Sequence, residues 1–193
     1  MKDKEIRDIL ISYLKTEFYE VRIYQEKCIA SAVCDVMTAS DMITGFEIKS
    51  DSDSYQRLKR QVEIYDLFFD RNYIVVGKKH IASAESKVPD HWGVIYIDEN
   101  GARVSREASV NKNVSRRRQL SLLWRPELKN LLVLNKLPLY AKKSKWFIAG
   151  KIVEALDPET LGKQIANELL RRDDSGYYKR NRTIYSKGPD NIV

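Results

Sequence analysis

The sequence predicts an α/β fold over residues 1–108, followed by a mostly helical C-terminal part. Three observations carry that reading. Short runs such as FEIK, YIVV and WGVIYI have strand length and β-branched or aromatic content. Between the first two lies a stretch of helical period, which is what a crossover between parallel strands requires. From residue 119 onward the period is helical throughout. A chain of 193 residues makes one domain, or one domain with a small appendage. Its 43% hydrophobic content suffices for a core.

Taken in order, residues 3–18 set Ile6, Ile9, Leu10, Tyr13 and Leu14 at helical spacing, an amphipathic helix. Residues 21–30 alternate loosely and read as a first strand. Two more strands follow, one around Asp35 and one through Phe46–Lys49, joined by a turn within Thr38–Thr44. The run Ser50-Asp51-Ser52-Asp53 offers short side-chain oxygens for the orphan amides of a helix start. Tyr55, Leu58, Val62, Tyr65 and Phe69 form that helix's apolar stripe, and Arg71 and Asn72 close it. Tyr73–Val76 and Trp92–Ile97 are strands, and Asn100-Gly101 is a hairpin turn into Arg103–Val104. Residues 111–118, NKNVSRRR, carry four basic residues and no acidic ones and read as a linker. Beyond them come an apolar helical segment through Leu134, with Pro126 near its start, and a helix over 144–156. A further helix is capped by Asp157, with Pro158 at its first position. Residues 173–193 are poor in aliphatics and rich in turn formers, the pattern of a loose tail.

The polar residues of the second and third strands stand where burial is costly. A period of two puts Glu47 and Lys49 on one face of a strand whose other face is apolar. If the intervening turn folds back, Asp35 lies beside Glu47. Two adjacent carboxylates repel and require a partner charge or raised pKa values. A divalent metal ion supplies that charge, so the patch is a candidate metal site.

The spacing Asp35, eleven residues, Glu47-Ile48-Lys49 resembles the signature of the PD-(D/E)XK nuclease superfamily. Gln61 and Tyr65 resemble the Gln-x-x-x-Tyr motif of its exonuclease-like branch. More of the chain, FEIKSDSDSYQRLKRQVEIYDLFFDRNYIVVG, PDHWGVIYI and LLWRPEL, resembles a family of small, functionally unassigned bacterial and phage proteins in that superfamily. The resemblance departs at Cys34, where relatives carry a small residue after an arginine. It implies a restriction-endonuclease-like core, a mixed central sheet flanked by helices, over residues 1–110. A basic linker (111–118), a helical subdomain (119–172) and the tail complete the chain. Asp35 and Glu47 are implied as ligands of Mg²⁺ or Mn²⁺, with the Ile48 carbonyl and a third acid from upstream. Glu26 is favoured for that role over Glu20. Lys49 is implied to position water or stabilise the transition state, and Gln61 and Tyr65 to line the site.

The net charge of +7 points toward polyanions. Arg57 and Arg60 beside Gln61, Arg116, Arg117 and Arg118, and Lys142 and Lys143 are candidate phosphate contacts, with DNA favoured over RNA. The alternative is a non-catalytic module that binds nucleic acid, or a protein partner through the C-terminal helices, in phage defence or counter-defence. Cys28 and Cys34 read as buried free thiols, and His80 and His91 as structural or surface residues. The sequence has no apolar run long enough to span a membrane and no signal peptide, so a cytoplasmic protein is expected.

Overall fold

A six-stranded mixed sheet forms the centre of the protein, in a computed structural model that describes residues 1–173. The strands are β1 (Arg22–Ile29), β2 (Ala32–Ala39), β3 (Ile43–Lys49), β4 (Arg71–Val76), β5 (Gly93–Asp98) and β6 (Gly101–Arg106). They lie in the sheet in chain order, β1-β2-β3-β4-β5-β6. The outer pairs are antiparallel, as short turns dictate, and β3, β4 and β5 run parallel. Helix α2 (Leu58–Phe68) makes the crossover from β3 to β4, and two 3-10 turns bridge β4 to β5. All seven residues of β3 are buried, so its side chains must find partners on both sheet faces.

On one face lies α1 (Asp3–Glu17). Its stripe of Ile6, Leu10 and Leu14 packs with Val36, Phe46, Ile48, Val75 and Ile95. The other face carries α2 and the C-terminal helices α3 (Arg116–Gln119), α4 (Arg125–Leu134), α5 (Lys145–Ala155) and α6 (Pro158–Leu170). There Ile43, Ile74, Val76, Tyr65 and Trp92 share one continuous cluster with Leu128, Leu131, Ile152, Leu161 and Ile165. Glu47 and Lys49 alternate with Phe46 and Ile48, which places them on the α2 face.

Several local expectations change. The run Ser50–Asp53 does not cap α2, which begins at Leu58 behind Arg57 with no side-chain cap. Instead the Asp53 carboxylate accepts from the Ser50 amide (2.8 Å) and hydroxyl (2.6 Å), closing a turn of its own. Arg71 and Asn72 open β4 rather than end the helix. Cys34 is buried, but Cys28 is exposed, because β1 is the sheet's edge. Pro126 stands in the first turn of α4, where its missing N–H costs nothing. Asp157 caps α6 by accepting from the Thr160 amide at 2.8 Å. The expected tail lies, from residue 174 on, outside the described residues. Among the described residues no helix is long and apolar enough to cross a membrane.

Candidate active site

The antiparallel register of β2 and β3 pairs Val36 with Phe46, which sets Asp35, one residue on, across from Glu47. On its other side β2 pairs Gln25 with Val36 and Lys27 with Cys34, and the ladder skips Glu26 and Asp35. Glu26 there has φ of 49°, in the left-handed region. A positive φ is an uncommon backbone conformation for a residue other than glycine, and it falls at the sheet edge opposite Asp35. The Asp35 amide donates to the Tyr65 hydroxyl (3.4 Å), and its carboxylate accepts from the Ile48 amide (2.8 Å).

Glu47 is almost fully buried and accepts three hydrogen bonds. Its Oε1 takes Lys49 Nζ at 2.6 Å and Gln61 Nε2 at 2.5 Å, and its Oε2 takes the Tyr65 hydroxyl at 2.7 Å. Lys49 Nζ also donates to Gln61 Oε1 at 3.1 Å, which closes a ring of three side chains. Gln61 and Tyr65 reach Glu47 together because they sit four residues apart on α2, one above the other on a single face. Burial first, and then the negative charge of its neighbours, holds the Tyr65 phenol well above its ordinary value, so it remains a donor. Burial also pushes the Cys34 thiol up, and its Sγ donates to the Val36 carbonyl.

Asp35 is pushed up to about 7, by burial first and by Glu47 second, against the bond from Ile48. A half-buried carboxylate with a single hydrogen bond beside a second carboxylate is the donor set that a divalent cation relieves. About four acceptor sites belong to each carboxylate, so Glu47 retains one and Asp35 more. Among the described residues no three His, Cys, Asp or Glu side chains converge on one point. Two carboxylates with room for a backbone carbonyl and water match the oxygen-rich, partly hydrated coordination of Mg²⁺.

Asp35, Glu47, Lys49 and Gln61 open onto a cleft of about 960 Å³, lined also by Asp3, Ser31, Asp53, Arg57 and Arg60, whereas Tyr65, expected to line the site, is fully buried behind Glu47. Glu26, expected as the third acid, is exposed and paired with Arg7 Nη1 at 3.1 Å, and Glu20 is exposed beyond α1. Asp3 lines the cleft instead, held by Arg7 Nη2 at 2.8 Å and close enough to add to the charge acting on Asp35. A signal for it exists in the sequence: Asp3 and Arg7 continue the helical line of Leu10 and Leu14, so two charged residues occupy the buried stripe.

The expected phosphate contacts divide. Arg57 and Arg60 line the cleft, with Arg60 Nη2 donating to Ser31 Oγ at 3.1 Å. Arg116 does not join a surface track, because Asp70, Gln119 Oε1 (2.6 Å) and the Pro158 carbonyl (2.7 Å) consume its guanidinium. Arg117 lies on the Trp146 ring, while Arg118, Lys142 and Lys143 are exposed. His80 is buried on the Ser50 carbonyl, and His91 pairs with Asp66.

A family model described as bacteriophage P4 protein cII matches residues 1–188. Protein cII of Enterobacteria phage P4 is 28% identical over 140 residues, covering 68% of this chain and 53% of that protein. The chain thus spans about half the length of that curated relative. Among solved structures, a protein of unknown function from Silicibacter pomeroyi is similar at 21% identity and a TM-score of 0.49, over 63% of this chain and 82% of that one.

Proposed function

The chain belongs to the bacteriophage P4 protein cII family, and we propose that this member is a metal-dependent nuclease of the PD-(D/E)XK type, acting on DNA. The observation that carries the reading is the meeting of Asp35, Glu47, Lys49 and Gln61 at one cleft, with Tyr65 bonded to Glu47 behind them, from three separate elements. A buried carboxylate–lysine–glutamine ring is costly to fold and gives packing no advantage over apolar residues. Chemistry at the cleft accounts for its presence.

Asp35, Glu47 and the Ile48 carbonyl would hold Mg²⁺ or Mn²⁺, with Asp3 within reach through water. Bound there, such an ion supplies positive charge against phosphate oxygens and acidifies a water molecule. Lys49 has three donors and gives two, to Glu47 and Gln61. The third is free to orient water or to stabilise charge developing on the phosphate. Gln61 and Tyr65 fix the Glu47 carboxylate, so that it need not reorganise during reaction. Arg57 and Arg60, along the same cleft, grip backbone phosphates without reading sequence.

The test is cleavage of labelled single- and double-stranded DNA and RNA with Mg²⁺ or Mn²⁺, alongside Glu47→Gln and a chelator control. DNA cleavage that needs the ion and disappears in Glu47→Gln is the expected result. Cleavage that persists in Glu47→Gln, or no cleavage of any substrate with either ion, would sink the proposal.

A further inference from the structure

Away from the cleft, α5 presents aromatic rings to solvent beside α3. Trp146 and Phe147, in the first turn of α5, are 52% and 37% exposed. Arg117 of α3 lies over the Trp146 ring, 3.9 Å from its centroid, and donates to the Trp146 carbonyl at 3.3 Å. Gly150 makes room for it: a Cβ there would stand 3.2 Å from the guanidinium. Arg117 covers one face of the indole, and about half of the residue remains exposed. Phe147 meets Tyr140 edge-on at 5.5 Å, with Lys143 at 5.3 Å and Lys151 at 6.0 Å from its ring. Lys142 and Lys143 are exposed, and the nearby acid Glu154 pairs with Lys151 at 2.6 Å.

An apolar protein partner seated here would strip water from these cations without pairing them. A chain of planar rings joined by phosphates suits both features, since every base has a face to stack and every phosphate a charge to pair. Only unpaired bases offer those faces.

We propose that Trp146 and Phe147, with Arg117, Lys142 and Lys143, form a stacking platform for unpaired bases of a nucleic-acid strand. The platform does not rest on the nuclease reading.

The experiment uses the full chain carrying Glu47→Gln, without divalent ions, and a labelled oligothymidylate, alone or paired with oligoadenylate. Anisotropy should show tighter binding of the single strand than of the duplex. Trp146→Ala should weaken single-strand binding about tenfold while the circular dichroism spectrum and thermal midpoint hold. A second measurement covers a variant that folds poorly. Binding should quench tryptophan fluorescence in the parent, and Trp146→Phe should lose that quenching although Trp92 and Trp124 remain. Unchanged affinity in a folded Trp146→Ala variant, quenching that survives in Trp146→Phe, or self-association abolished by Trp146→Ala each overturns the platform. Platform binding by a parent chain that never cleaves overturns the nuclease reading alone.

Discussion

At the scale of single residues, the site stores unfavourable charge. Asp35 has a folded-state pKa of about 7 against an ordinary 3.8, through burial and the neighbouring Glu47. The folded protein therefore binds that proton more tightly than the unfolded chain does between about pH 4 and 7. The stability this confers is complete below pH 4 and is lost as the pH rises through 7. Asp35→Asn removes the penalty. Its thermal midpoint at pH 7.5 without divalent ions should exceed the parent's by on the order of 5 °C, with the gain vanishing near pH 4. An equal or lower midpoint at pH 7.5 contradicts the charge argument. The same substitution should abolish cleavage. Tyr65→Phe removes one of three bonds to Glu47 and keeps the ring's packing on Trp92. It should reduce turnover while leaving the fold intact, as read by parallel rate and melting measurements.

At the scale of elements, the sheet and the C-terminal helices are locked by buried charge. Asp70, at the start of β4, accepts from the Ile43 amide (3.0 Å), Gln119 Nε2 (3.1 Å) and Arg116. Asp70→Ala leaves a guanidinium and an amide without their acceptor in a poorly hydrated place. The expected loss is about 3–5 kcal/mol, measured as a lowered urea midpoint. By contrast, Asp157→Ala removes one cap bond on an exposed helix start and should cost about 1 kcal/mol. If the two variants melt alike, Asp70 does not hold the elements together. The buried pair of Glu127 and Arg172, at 2.5 and 2.7 Å, ties the start of α4 to the end of α6 in the same manner.

At the scale of the whole molecule, the helices beyond residue 115 cover one side of the sheet. Leu128, Leu131, Ile152 and Ile165 belong to one cluster with Ile74, Val76 and Trp92. A chain ending at residue 110 exposes that face and should show no cooperative thermal transition. A sharp transition from such a fragment would mean that the sheet with α1 and α2 stands alone. The helical part thereby both completes the core and holds the Trp146 surface rigid against it.

Much of this was legible in one dimension. Period two in β3 and the four-residue spacing of Gln61 and Tyr65 each describe the faces of a single element, and backbone geometry alone sets those faces. Pairing Asp35 with Glu47 needed only a short turn, which a local pattern reveals. The same local reach explains the legible cap at Asp157 and the paired strand and hairpin limits. What only the tertiary structure decided depends on contacts between segments distant in the chain. The docking of α1 on the sheet brings Asp3 into the cleft, and the irregular edge of β1 turns Glu26 away to Arg7. Arg116 reads as a surface cation until Asp70, 46 residues earlier, is placed beside it. Ser50–Asp53 has the composition of a helix cap, yet its side chains are satisfied within its own turn and by the Lys79 amide. Composition names the groups that need partners, and packing alone assigns which partner each one receives.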